Sequence, residues 1–211
     1  MNRHSRLAFG LTILAFWAAP LYSAEKMVPE EGALEVMLLR QQSVQKELKL
    51  TDDEIEKVHK HCAKQWEKAQ AVSKLSEKEQ DTKFNEMSKE NERFVETTLT
   101  KEQRKRLHEI TLQTAGLLCV TRQEVASKLK LTEEQKKRLP QFHKEARQEA
   151  EEWIYVVKKE QRLEKLRELR ETSRKRLMDL LTDEQEVAWK EMIGAPFVGD
   201  LTYTDPETAG K

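Results

Sequence analysis

Apolar residues recur every three or four positions along most of the chain, which is the period of one face of an α-helix. Between Gly32 and Gly194, only Gly116 and Pro140 are helix-breaking residues. There is no alternating β-branched run and no Asn-Gly or Asp-Gly hairpin signal. The pattern therefore predicts an all-α fold, an elongated bundle of helical hairpins.

The same period places the individual elements. It predicts helices over 33–48, 51–72, 77–98, 100–116, 117–129 and 183–193, with a turn at 73–76. Between these, Thr132 opens a long helical segment, which Pro140 should kink. By analogy with the first half, this segment reverses near residues 157–161. Because no breaker stands there, one continuous helix over 133–180 is the alternative.

A five-residue motif marks four helix starts. In each copy a threonine is followed three residues later by Gln or Glu, which is the capping-box pattern, and is preceded by a leucine that can pack against the new helix. The copies are Leu50-Thr51-x-x-Glu54, Leu99-Thr100-x-x-Gln103, Leu131-Thr132-x-x-Gln135 and Leu181-Thr182-x-x-Gln185.

The spacing of these motifs indicates an internal duplication. The first two begin 49 residues apart and the last two 50 residues apart, so the two pairs are offset by 81 or 82 positions. Residues around the first motif of each pair match at an offset of 81: Gln42, Val44, Leu48 and Lys49 with Gln123, Val125, Leu129 and Lys130. We therefore predict one helical module over 25–115 and a second over 116–196, followed by a flexible tail over 197–211.

Residues 1–24 have the pattern of a secretory signal peptide. A basic start with Arg3 and Arg6 precedes an apolar run over 7–19 and a small-residue exit, Pro20 to Ala24. The apolar run is too short for a membrane span. We expect an exported protein, periplasmic or otherwise outside the cytoplasm, without a transmembrane anchor.

The net charge of the chain limits the classes of partner that it can bind. Without residues 1–24 the chain has 36 Lys and Arg against 38 Asp and Glu, a net charge of −2, which argues against nucleic acid as the main partner. The strongest local excess is basic and covers 158–176. It supplies the candidate partner-binding residues Arg162, Lys165, Arg170, Arg174 and Lys175. The alternative is a solvated helix face carrying ion pairs.

Cysteine and histidine allow two further hypotheses. Cys62 and Cys119 can pair in an oxidising compartment, or each can be a small buried apolar group. His59 and Cys62 stand three apart on a predicted helix and are the candidate metal ligands, while His61 points elsewhere. Two ligands are fewer than zinc requires, so we predict no metal and no cofactor.

Three Leu-Thr-x-x-Gln motifs and one degenerate copy that ends in Glu54, behind a signal peptide in a charged helical chain, resemble the Spy/CpxP family of periplasmic stress proteins over residues 33–193. The resemblance implies an ATP-independent chaperone or an accessory sensor of envelope and metal stress, with helices that form a thin curved cradle in a homodimer. Members typically carry two motifs, whereas this chain carries four. We therefore hypothesise a monomeric pseudo-dimer, with a homodimer as the alternative.

No Gly-rich phosphate loop, Gly-x-Ser-x-Gly or His-Glu-x-x-His motif is present, and we expect no enzyme. Three function classes stay open. The first is a chaperone-like protein that binds unfolded or partner proteins on an amphipathic helical cradle. The second is a helical protein that senses heavy metals or modulates a sensor kinase. The third is a purely structural module.

Overall fold

The computed structural model describes residues 31–72, 74–120, 122–156 and 162–201. These residues are all-helical, with no strand among them, so the predicted fold class is confirmed. The α-helices are α1 Glu31–Leu39, α2 Gln42–Glu47, α3 Asp52–Val72, α4 Glu77–Thr98, α5 Lys101–Ala115, α6 Gln123–Leu129, α7 Glu133–Val156, α8 Arg162–Leu180 and α9 Asp183–Ile193. A 3₁₀-helix, Gly116–Cys119, joins α5 to the segment before α6. The described helices include none that is long and apolar enough to cross a membrane. The predicted signal peptide lies outside the described residues.

The described residues divide into two compact units. The first unit comprises residues 31–113 and 193–201, and the second comprises residues 114–192. In the first unit α1 packs against α3 and α4, which pack against each other. In the second, α7 packs against α8, and both contact the 3₁₀-helix. Because one straight helix cannot fold back on itself, this contact between α7 and α8 favours the predicted reversal over the continuous helix; residues 157–161 lie outside the described part of the chain.

Each unit has a core of buried aliphatic side chains. In the first unit the fully buried side chains include Leu38, Leu39, Val44, Val58, Leu107 and Ile110. In the second they include Val120, Leu129, Leu139 and Leu177, and Trp189 is also buried. Fully burying a Leu or Val side chain stabilises the fold by about 1.5–3 kcal/mol relative to leaving it exposed. These side chains therefore contribute most of the free energy that holds the helices together.

The predicted first helix, 33–48, is two helices. The break falls at Arg40 and Gln41, and the side chain of Gln45 donates a hydrogen bond to the carbonyl of Leu39 (2.8 Å). That bond satisfies one of the carbonyls left open at the end of α1. The predicted helix 117–129 is likewise divided, into the 3₁₀-helix and α6. Gly116 has φ +49° and ends α5 in the left-handed conformation that favours glycine.

The end of the described chain also differs from the expectation. The flexible tail was predicted from residue 197, but residues 194–201 lie against the first unit and Leu201 is only 3% exposed. Residues 202–211 of the predicted tail lie outside the described residues. Both cysteines are free: Cys119 is buried, and Cys62 is half-buried.

Candidate functional site: paired motifs, a hairpin surface and a C-terminal strap

All four motifs form reciprocal capping boxes in the structure. The threonine amides donate to the Gln or Glu side chains at 2.8–3.0 Å. The amides of those Gln and Glu residues donate back to the threonine hydroxyls at 3.2–3.3 Å. Leu99, Leu131 and Leu181 are buried, whereas Leu50 is half-buried. The motifs therefore begin α3, α5, α7 and α9, and their polar groups are occupied by helix capping.

Within each unit the two motifs also bond to each other. In the second unit Gln135 and Gln185 exchange two amide hydrogen bonds, at 2.6 and 3.0 Å, and Gln135 donates to the carbonyl of Leu180 (2.8 Å). In the first unit the matching bond runs from Gln103 to the carboxylate of Glu54 at 3.4 Å. The spacing of 49 or 50 residues thus brings pairs of helix starts side by side.

The chain enters the first motif of each pair through the same turn. Lys49 and Lys130 have φ values of 53° and 51°, in the left-handed region. In each turn the amide of the leucine that follows donates to a carbonyl five residues back, from Leu50 to Gln45 and from Leu131 to Ala126, at 3.0 and 3.1 Å. This is the Schellman arrangement of a helix C-terminus. It gives a structural basis to the sequence match at an offset of 81.

The five candidate partner-binding residues all belong to α8, from Arg162 to Lys175. Arg174 is exposed and makes a two-point ion pair with Glu171, at 2.6 and 3.1 Å. This hydrogen bond holds the pKa of the Glu171 carboxyl below its usual value. Lys175 is also exposed, and Arg170 is half-buried. Residues 170–175 of α8 are therefore a charged segment in which Arg174 is paired with a glutamate of the same helix.

The candidate metal ligands do not form a cluster. His59 is exposed, and the thiol of Cys62 points to the backbone carbonyl of Val36, 3.8 Å away. Burial raises the pKa of this thiol to about 12, so the thiolate that binds metals is disfavoured. Among the described residues, no group of three or more His, Cys, Asp or Glu side chains is placed to hold a metal ion.

His61 is the histidine with a tertiary role. Its ring stacks on Phe94 with the centroids 4.0 Å apart, and its Nε2 lies 2.8 Å from Oδ1 of the buried Asn91. Burial lowers the pKa of His61, and the hydrogen bond to Asn91 opposes that effect. His61 therefore joins α3 to α4, a role that no local sequence pattern indicates.

The hairpin of α3 and α4 has an unusual distribution of polar and apolar side chains. Gln65, Ser88 and Asn91 are buried, at 4–7% exposure. Larger apolar side chains on the same two helices are only half-buried: Ile55, Trp66, Phe84, Met87 and Phe94. Buried polar and partly exposed apolar groups are the informative departures from ordinary packing. The hairpin thus combines buried polar side chains with large apolar side chains that are only partly buried.

The last feature is the C-terminal strap, defined here as residues 194–201. The side-chain amide of Gln113 on α5 donates to the carbonyls of Ile193 (2.6 Å) and Ala195 (2.9 Å) and accepts from the amide of Phe197 (2.7 Å). From the same helix, Arg106 donates to the Ala195 carbonyl at 2.8 Å.

Two further contacts complete the strap. Ser43 on α2 donates its hydroxyl proton to the carbonyl of Asp200 at 2.6 Å. Arg106 is itself fixed by Glu47 on α2 (2.7 Å) and by Glu109 (2.9 Å). Sequence reasoning missed Ser43, Arg106 and Gln113, because each contacts a residue at least 80 positions away.

Comparison of the chain with family models, curated proteins and solved structures finds no match. The geometry described above and the resemblance of the motifs are therefore the grounds for assigning a function.

Proposed function

We propose that this chain is an exported, ATP-independent chaperone-like protein that binds unfolded or partner proteins on an amphipathic helical surface. The observation that carries the proposal is the hairpin of α3 and α4, where the apolar side chains of Trp66 and Met87 remain partly exposed although the polar side chains of Gln65 and Asn91 are buried. A partly exposed apolar surface with a charged rim is typical of protein interaction sites. The resemblance of the motifs to the Spy/CpxP family supports the same function.

The motifs themselves have an architectural role in this proposal. Their threonine, glutamine and glutamate side chains are engaged in capping boxes and in the bonds between paired helix starts, so we assign client binding to other residues. The basic residues of α8 are a second candidate surface, suited to acidic clients. Binding there should weaken as salt rises, because exposed charges are screened over about 8 Å at physiological ionic strength.

Aggregation of a chemically unfolded client, followed by light scattering without ATP, tests the proposal. We expect the protein to suppress scattering at a near-equimolar ratio. The variant Trp66→Ser/Met87→Ser, verified as folded by circular dichroism, should suppress it several-fold less because the apolar surface is removed. Val187→Ser is the matched control, since Val187 is an exposed apolar residue on α9 (57% exposed) and lies outside the hairpin. Equal suppression by the double variant, or none by the wild type at tenfold excess, would contradict the proposal.

A further inference from the structure

The hydrogen bonds that hold the C-terminal strap reach its backbone. Those that Gln113, Arg106 and Ser43 make to residues 193–200 all end on main-chain carbonyls or on one main-chain amide. Backbone groups are common to every polypeptide. This hydrogen bonding by α2 and α5 therefore depends little on side-chain identity.

The strap also has the side-chain alternation of an extended chain. Phe197, Gly199 and Leu201 are half-buried or buried, whereas Val198 and Asp200 between them are exposed, Val198 at 93%. A period of two is the mark of an extended segment with one face against a surface. Phe197 and Leu201 are the apolar residues on the inner face. Main-chain hydrogen bonds combined with sites for alternate side chains are how proteins bind extended peptides.

We propose that this surface of α2 and α5 is a binding site for extended segments of unfolded polypeptide with apolar residues four positions apart, and that the strap occupies it in the resting chain. The strap is thus an internal stand-in for a client segment. This inference rests on the proposed function in one respect: that function supplies the unfolded client polypeptide that competes with the strap.

The strap competes for the site more effectively than a free segment does, because it is tethered to the same chain. A short tether gives an effective concentration on the order of 1 mM. If a detached strap peptide binds with a Kd of about 100 µM, the tethered strap lowers the apparent affinity of a competing segment about tenfold. A weakened strap should therefore uncover the site without changing the residues that form it.

Gly199→Ala in the full chain is designed to weaken the strap. An added Cβ would lie 2.7 Å from the Cβ of Ser43 and would also collide with the ring of Phe197, so the strap cannot keep its place. A chain that ends at Gly194 is the second release variant. The probe is a fluorescein-labelled peptide with the sequence of residues 193–202, and its binding is measured by fluorescence anisotropy.

We expect Gly199→Ala and the shortened chain to bind the peptide about tenfold more tightly than the wild type. Adding Gln113→Ala to Gly199→Ala should weaken binding at least about tenfold, because three hydrogen bonds to the peptide backbone are lost. Gln141→Ala is the matched control in the same background, since Gln141 is exposed and bonds to Glu145 on its own helix. Equal affinity of the wild type and both release variants, or no effect of Gln113→Ala, would overturn the proposal.

Reduced and carboxymethylated α-lactalbumin, a permanently unfolded client, provides the decisive competition. We expect it to displace the labelled peptide from Gly199→Ala. If the protein suppresses aggregation but this client leaves the peptide bound, the strap inference is wrong and the proposed function stands. If the client displaces the peptide while aggregation is not suppressed, the peptide site is supported and the chaperone function is wrong.

Discussion

Replacing Gln135 with alanine removes the side chain that joins two helix starts in the second unit. Gln135 is 9% exposed, accepts from the amide of Thr132, donates to the carbonyl of Leu180 and exchanges bonds with Gln185. Loss of the capping acceptor costs about 1 kcal/mol, and leaving a buried carbonyl without its donor costs about 1–3 kcal/mol. We expect the free energy of unfolding to fall by about 3 kcal/mol.

The partner variant Gln185→Ala should cost about 2 kcal/mol. Outside the pair Gln185 donates to the carbonyl of Lys130 over a long distance, 3.4 Å, so less is lost there than when Gln135 is replaced. In the double variant the two hydrogen bonds between Gln135 and Gln185 are lost once, although each single variant already loses both. The loss should therefore be smaller than the sum of the single losses by about 1 kcal/mol, the coupling typical of side chains in direct contact.

Urea unfolding followed by the fluorescence of Trp189 measures these changes. Trp189 is buried on α9, which begins at one of the paired motifs, and replacing Trp17, Trp66 and Trp153 with phenylalanine leaves it as the reporter. Gln141→Ala serves as the exposed control on the same helix as Gln135, with an expected change within about 0.5 kcal/mol. Additivity of the two single variants within about 0.3 kcal/mol, or a loss below 1 kcal/mol for Gln135→Ala, would refute the pairing argument.

Three further predictions follow from the motifs and the hairpin. Lys130→Gly should raise the free energy of unfolding by about 1 kcal/mol, because glycine adopts a φ of 51° without the steric cost that lysine bears; a loss in urea unfolding would contradict it. Glu54→Gln allows the first unit to form the reciprocal pair of amide hydrogen bonds that Gln135 and Gln185 form in the second, and should stabilise the chain by about 1 kcal/mol in the same assay. Because burial lowers the pKa of His61 below 6.5, the unfolded chain binds the proton more readily. The free energy of unfolding should therefore fall as the pH drops from about 6.5 to the lowered pKa that His61 has in the folded chain. Above about pH 6.5, His61 should have no effect on it. Urea midpoints measured from pH 7.5 to 5.5 should lose this slope in His61→Gln.

The starts of the helices were predictable because the capping box is a local device. A threonine and the residue three positions later fix α3, α5, α7 and α9 with no help from the rest of the chain. The break at Arg40 and Gln41 was not predictable, because the apolar period continues through it and the carbonyl of Leu39 is satisfied by a side chain six residues away.

The hydrogen bonds between paired motifs could not be predicted from the sequence for a different reason. Capping explains Gln135 and Gln185 completely as local residues, so nothing in their pattern indicates that they also bond to each other across 50 positions. The strap had a weak signal, the apolar residues Phe197 and Leu201 on either side of Gly199. Five residues after a Gly-Ala-Pro stop are too few to distinguish an extended segment from a loop.

The two units use one design for their helix starts and differ in what they expose. In the second unit the paired residues Gln135 and Gln185 are both buried, whereas in the first unit Glu54 and Gln103 are partly exposed. The hairpin with partly exposed apolar side chains and the strap surface both belong to the first unit. Because the tighter junction lies in the other unit, stability and binding can change independently. It follows that Gln135→Ala should lower the free energy of unfolding yet leave the affinity for the strap peptide unchanged while the chain is folded. Gln113→Ala should weaken binding of the strap peptide and lower the free energy of unfolding by about 1.4 kcal/mol at most, the equivalent of a tenfold change in strap binding.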